Sequence, residues 1–247
     1  MRQIKGLFRY PLKSHGREAL SNIDLIKGKT IAWDRVWAVA HDHSTADGQN
    51  WVGCRNFSIG SKAPGLMAIE ATLDTATQRL TLRHPDRPEL CFDPDTQAAQ
   101  LIEWVMPLVP KDRALPNRIL RLPGDRGFTD SDFPSVTLCN MQSHRTVEAQ
   151  IGQDLSIKRW RANIWFDGGA AWEERDWIGQ KVKIGNAVLQ VRENTERCLA
   201  TAANPATGQR DLDTLGALAH FGHHDFGVRA EVITSGHIAL GDTLERL

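Results

Sequence analysis

Cys198 is the residue with the most chemistry to offer. It stands directly after Arg197 in the polar stretch ERCLATAANPATG, just beyond a run that reads as a strand. A neighbouring guanidinium favours thiolate over thiol, and thiolate is the form that binds a metal or attacks an electrophile. Other polar residues sit beside turn signals: Lys13-Ser14, Asp34-Arg35, Ser131 in FTDSDFP, and Arg161 in RWRANI. Guanidinium groups and backbone amides held in turns suit phosphate or another oxyanion. Cys54, Cys91 and Cys139 read as packing residues or incidental surface thiols, because free cysteine behaves mostly as a small hydrophobe.

Two histidine groups invite a metal reading. His41 and His43 lie two apart on a strand end and would face the same way, and His223, His224 and Asp225 form a second group. Without a third spaced ligand both are read as solvated loop residues rather than as a dedicated zinc site. The acidic run WEERD, residues 172–176, reads as a helix start or a polar face rather than a catalytic carboxylate pair. The eight tryptophans are assigned to core or interface packing.

Short strand-like runs must position these groups. Residues 4–10, 36–41, 66–73 and 79–82 read as strands, and VKIGNAVLQV as a hairpin whose two-residue turn is Gly185-Asn186. A last hairpin is expected around Gly241 and Asp242. Helical spacing of apolar residues marks 96–108, 141–151 and 211–221, the last with Asp211 as cap and Gly222 as stop. The proline- and acid-rich stretch 84–95 is the expected boundary, dividing the chain near residue 92. Residues 115–134 read as a long, functional loop.

Composition narrows the classes. The 247 residues are 41% hydrophobic, enough to bury a sizeable core, and 30 basic residues balance 30 acidic ones. That balance removes the electrostatic footprint of a general nucleic-acid or anionic-membrane binder. The amino-terminal residues never build the apolar centre of a secretory signal, and the four cysteines form no CxxC pair, so a cytoplasmic protein is expected. That spacing also excludes a zinc ribbon, a thioredoxin-type motif and a plant-type iron-sulfur cluster. Phosphate-loop, dinucleotide-binding, HExxH and GxSxG motifs are missing too.

Taken in order, the segments resemble the MOSC family, the domain found at the carboxyl end of molybdenum cofactor sulfurases and in amidoxime-reducing molybdoenzymes. LFRYPLKSHGREAL is similar to the opening YPVKS segment of the family's amino-terminal barrel domain, and WDRVWAVAHD to the DRxW strand that follows. RWRANIWFDGGAAWEERDWIGQ is similar to the RPNIVV segment with its acidic and WxG elements. ERCLATAANPATG resembles the family's Arg-Cys pair with its D-P-x-T-G turn, and the closing HDFGVRAEVITSGHIALGD its FGxYAEV and GxIxVGD strands.

The resemblance implies a mainly β (α+β) fold with a few short helices: a MOSC amino-terminal β-barrel domain over 1–92 and a MOSC domain over 93–247, meeting at a groove. It implies a molybdenum cofactor (Mo-molybdopterin) in that groove, with the Cys198 thiolate as metal ligand. Lys13 and Ser14 would meet the phosphate or pterin end, Arg35 the phosphate, Ser131 would supply a hydroxyl contact, Arg161 and Asn163 would bind pterin edges, and Arg197 and Thr201 would flank the ligand. The implied activity is reduction of N-hydroxylated small molecules such as amidoximes, hydroxylamines and N-hydroxylated bases. Nothing in the chain resembles the ferredoxin domain of some bacterial members, so electrons are expected from a separate ferredoxin, flavodoxin or reductase. No nucleic-acid or membrane partner is expected. A non-redox sulfur or cofactor carrier using Cys198 is the alternative. Three positions depart from the family: Ala162 for proline, Glu196 before Arg197, and Asn204 for aspartate.

Overall fold

A computed structural model describes residues 1–124 and 126–247. In chain order its first half contains β1 (Arg2–Arg9), β2 (Glu18–Leu20), β3 (Asn22–Leu25), β4 (Trp37–His41), β5 (Glu70–Asp74), β6 (Arg79–His84), β7 (Arg87–Phe92), α1 (Ala98–Val105) and β8 (Pro116–Arg121). Next come β9 (Val136–Asn140), α2 (Met141–Ile151), β10 (Ile164–Asp167), β11 (Lys181–Ile184) and β12 (Ala187–Glu196). The chain closes with α3 (Thr214–His220), β13 (Asp225–Thr234), β14 (Gly236–Ala239) and β15 (Thr243–Arg246). The protein is mainly β.

Seven strands close a barrel in the order β10-β9-β13-β12-β11-β15-β1, with β1 pairing back onto β10 and β2 added beside β1. Alternation explains the barrel: Val182, Ile184, Leu189, Val191, Val228, Ala230 and Val232 point inward and are buried, and Ile4 and Leu7 of β1 join them. The Gly185-Asn186 turn forms as expected, with Ile184 facing Ala187 across the ladder and Gly185 at φ 53°. β1 lies far away in sequence yet supplies one of the barrel's staves.

The first half folds over its own core. β4 pairs with β8, β5-β6-β7 form a three-stranded sheet, and both cover Leu12, Trp37, Leu66, Leu80, Leu82 and Phe92. Leu101, Trp104 and Val105 of α1 pack into the same core, so side-chain packing continues past residue 92. The stretch 84–95 holds β7 and a tight Pro85-Asp86 turn back from β6, with His84 opposite Arg87.

Several local expectations are corrected. Residues 66–73 are not one strand: Pro64–Ala68 form a 3-10 turn and the strand begins at Glu70. Pro64 presets the turn, and the unbroken buried run Leu66 to Ile69 lacks the alternation of a one-sided strand. The long 115–134 loop contains β8. The chain around Gly241 and Asp242 joins strands of different sheets, because β14 pairs with β3 while β15 pairs with β1 and β11. The first helical segment shortens to α1, since Pro107 allows only a 3-10 turn beyond it. α2 matches its expected bounds, capped by the Asn140 side chain and stopped by Gly152 at φ 74°. α3 is capped by Asp213, which accepts from Gly216 N at 2.8 Å, and not by Asp211.

Candidate functional site

Three residues expected at the site, Ser14, Arg35 and Arg161, have left-handed backbone angles, with φ of 62°, 55° and 50°. Only six non-glycine residues do so among those described, and such strain persists where surrounding contacts enforce it. The contacts are visible. β1 ends at Arg9, and the chain turns through Leu12 to His15, with His15 N bonded to Leu12 O at 3.0 Å. Arg35 N donates to Tyr10 O at 2.7 Å, and Phe128 N donates to Arg35 O at 2.7 Å. Asp34, almost fully buried, accepts from Tyr10 N at 2.8 Å and pairs with the Arg35 guanidinium.

Tyr10 is the centre of this arrangement. The Arg35 and Arg161 guanidinium carbons lie 4.6 Å and 4.4 Å from its ring centroid, and Arg35 Nη2 donates to Arg161 O at 3.1 Å. The phenol donates to Ala162 O at 2.8 Å; burial pushes its pKa up despite both arginines, so it acts as a neutral spacer. Alanine in the family's proline position matters here. A following proline ring would drive residue 161 toward extended geometry, whereas Arg161 takes a helical left-handed turn.

Arg161 is a cation with spare capacity. Burial lowers its pKa to about 10, with Arg35 and Arg17 adding to the effect, so it stays charged at neutral pH. Nη1 donates to Gly16 O at 3.2 Å, while the buried Nη2 has no partner among the described residues. Lys13 is nearly buried; its ammonium donates to Phe128 O at 2.8 Å and pairs with Asp130. Desolvation would raise the Asp130 carboxyl, but Lys13, Arg35 and Arg229 overcome it and hold its pKa at about 2.

Cys198 lies exposed where β12 gives way to a 3-10 turn, Leu199–Ala202. Its carbonyl accepts from Thr201 N at 3.1 Å and from Thr201 Oγ1 at 3.0 Å, and that hydroxyl is 2.6 Å from Thr214 Oγ1. Thr201 therefore anchors the turn. Each guanidinium nitrogen of Arg197 is engaged by the protein: it donates to Phe226 O at 2.9 Å from Nε, to Trp160 O at 2.6 Å from Nη1, and to Cys139 Sγ at 3.5 Å from Nη2. Buried Cys139, its thiol pushed up to about 12 by desolvation, is inert.

Two other expected contacts are engaged internally. Asn163 Oδ1 accepts from Thr137 N at 3.1 Å and its Nδ2 donates to Phe8 O at 3.2 Å, which ties β9 to β1. Ser131 Oγ lies 2.6 Å from Ser135 Oγ and 2.8 Å from Phe133 O. Tyr10 and Arg17 carry no signal in the sequence, and Cys54 reads there as a packing residue or an incidental surface thiol. Arg17 is buried and donates to Pro205 O at 2.7 Å, linking the Lys13 turn to the NPATG turn. Cys54 has Asp130, Lys13 and Cys198 among its electrostatic neighbours, and desolvation raises its pKa; nothing local in its sequence marks this proximity.

The NPATG turn accounts for its own departure. Asn204 Oδ1 accepts from Ala206 N at 2.8 Å, as an aspartate would, but its Nδ2 also donates to Asp211 Oδ2 at 2.7 Å. Asp211 in turn takes Arg159 Nη2 at 2.7 Å. Gly208, at φ 72°, brings the turn against the first half: a Cβ there would lie 2.7 Å from Gly65 Cα. Glu196 is exposed, opposite Asp225 in the ladder. In WEERD, Glu174 is fully buried, accepting from Ser143 Oγ at 2.8 Å and Asn140 Nδ2 at 3.0 Å. Among the described residues, no three His, Cys, Asp or Glu side chains gather as a metal site, and no helix is long and apolar enough to cross a membrane.

A closed barrel, an exposed thiol at the end of one stave and a cluster of buried and half-buried arginines around Tyr10 define the class as a β-barrel protein. The chain belongs to the MOSC family: it matches the MOSC N-terminal beta barrel domain over residues 1–107 and the MOSC domain over residues 125–245. It is similar to molybdenum cofactor sulfurases of Drosophila grimshawi, 34% identical over 111 residues, and Drosophila ananassae, 28% identical over 158 residues. Those matches cover 44% and 59% of this chain but only 14% and 20% of the relatives, so the chain spans about a fifth or less of their length. Among solved structures, YUAD protein from Bacillus subtilis aligns over 100% of this chain and 96% of its own, at 11% identity and a TM-score of 0.48.

Proposed function

We propose that the protein binds a molybdenum cofactor through Cys198 and reduces N-hydroxylated compounds such as amidoximes, hydroxylamines or N-hydroxylated bases. One observation carries the reading: a half-buried, charged arginine, Arg161, holds a buried, unpartnered donor beside Arg35, in a chain whose candidate metal ligand, Cys198, is exposed. A buried guanidinium nitrogen left without an acceptor is costly unless a ligand supplies one. The donor set fits an anionic cofactor bearing phosphate and sulfur.

In this reading Arg161, Arg35 and Lys13 neutralise phosphate, and the left-handed turn at Ser14 presents backbone to the same group. The Cys198 thiolate ligates the metal, Thr201 fixes the turn that carries it, and Arg197 holds that turn from behind without touching the ligand. The cofactor, when bound, supplies two-electron oxygen-atom removal. Removing the hydroxyl oxygen from nitrogen consumes two electrons and two protons and releases water; a separate ferredoxin, flavodoxin or reductase provides the electrons. A cytoplasmic site of action agrees with four free cysteines.

Protein made in a cofactor-competent host should carry molybdenum and reduce benzamidoxime with an artificial electron donor. Cys198→Ala should abolish reduction and leave the circular dichroism spectrum unchanged, because the thiol is exposed. Retained turnover in that variant would remove the metal-ligand role. The names of the sulfurase relatives favour a second reading, a non-redox carrier of sulfur or cofactor that uses the same thiol. Bound cofactor without benzamidoxime turnover would decide for it.

A further inference from the structure

Phe57 separates the Lys13 turn from a second concavity. Its ring centroid lies 5.9 Å from Lys13 Nζ and 4.8 Å from the Phe128 ring, and its outer side lines a cavity of about 400 Å³ in the first half of the chain. That volume falls in the range of small-molecule sites. The cavity shares no lining residue with the cationic floor around Tyr10.

Its charge is one-sided. Arg55, Lys62 and Arg113 line it and are exposed, against the single acid Asp112. Asp112 lies 3.7 Å from Arg113, while neither Arg55 nor Lys62 has an ion-pair partner among the described residues. Buried Phe57 and Val109 give the same cavity an apolar surface.

Two residues that line it, Ser58 and His41, each hold a buried polar atom without a partner among the described residues. Ser58 is only 6% exposed, yet its hydroxyl bonds to nothing in the described structure. His41 Nε2 lies 2.7 Å from Arg55 O; a carbonyl only accepts, so Nε2 carries the proton and Nδ1 is left with an unused, buried lone pair. A buried hydroxyl and a buried imidazole nitrogen beside one cavity ask for a ligand with acceptor oxygens and one O–H. A phosphate monoester has both, and its organic part would cover Phe57 and Val109.

We propose that this cavity is a second ligand site, distinct from the cofactor groove, that takes a small organic phosphate monoester with an apolar body. Arg55, Lys62 and Arg113 meet the phosphate, Ser58 donates to it, and His41 accepts from its remaining O–H.

Isothermal titration of the full chain with phenyl phosphate tests this, with inorganic phosphate and phenol as the partial probes. Saturable binding is expected, tighter for phenyl phosphate than for either partial probe. Lys62→Glu and Arg113→Glu, both at exposed positions that do not threaten the fold, should each weaken it about tenfold as a charge-assisted contact is reversed. Arg161→Gln, which removes a cation from the other site, should leave it unchanged. Absence of binding overturns the proposal, as does binding that is lost in Arg161→Gln and kept in the two charge reversals. Equal affinity for inorganic phosphate overturns the apolar body.

Discussion

His15 should make the protein acid-sensitive, by an amount that its surroundings set. The ring is fully buried, its Nδ1 donates to Lys13 O at 2.7 Å, and its Nε2 faces no acceptor. Desolvation lowers its pKa from 6.5 to about 4; the Lys13 carbonyl opposes this and Arg161 adds to it. Between those values the unfolded chain binds a proton that the folded one refuses, so stability is present above pH 6.5 and is lost as pH falls toward 4. A shift of that size is worth about 1 kcal/mol at pH about 5.5 and about 3 kcal/mol at pH about 4. His15→Asn keeps a donor for the Lys13 carbonyl and cannot titrate. The variant should start less stable, because it leaves a small void, yet its urea midpoint should move less than the parent's between pH about 7.5 and about 4.5. Carboxylates common to both proteins cancel in the difference. Parallel profiles, with the gap changing by less than about 0.5 kcal/mol, would refute the claim that His15 is held neutral.

Gly227→Ala should cost about 3 kcal/mol, because at φ 74° its Cβ would meet both Cys139 Sγ and Leu138 O at 2.5 Å; a melting temperature lowered by about 6–12 °C would confirm it. Asn204→Asp restores the family's residue but sets a carboxylate against Asp211 and removes the 2.7 Å bond, so about 1 kcal/mol of stability should be lost in denaturant titration. Adding Asp211→Asn should recover part of that loss, and a double variant no better than the sum of the singles would show that the two side chains do not interact.

The parts of the fold that sequence exposes are those written in neighbouring residues. Gly185-Asn186 between alternating strands needs nothing else, and α2 has its cap, Asn140, and its stop, Gly152, within the segment itself. α3 shows the limit of such signals: Asp211 and Asp213 are equally good caps locally, and Arg159 and Asn204, distant in sequence, claim Asp211. β14 and β15 fail as a hairpin for the same reason, since β3 and β1 compete for them. At the site, Lys13, Arg35 and Arg161 were legible as cations beside turns, but their left-handed backbones and the shared Tyr10 ring were not. Whether Asn163 or Arg197 faces a ligand or a backbone carbonyl is decided by strands more than twenty residues away.

The stave contributed by β1 has a consequence for how the chain is made. During synthesis residues 2–9 emerge more than 150 residues ahead of β10 and more than 230 ahead of β15, the two strands that hold β1 in the barrel. Until then β1 has only the short β2 beside it, and a carboxyl half without β1 presents two open edges, β10 and β15, ready for intermolecular pairing. Cutting the gene near residue 92 would make that transient permanent, so the separate carboxyl-terminal piece should precipitate, and a peptide carrying residues 1–10 supplied in trans should rescue its solubility.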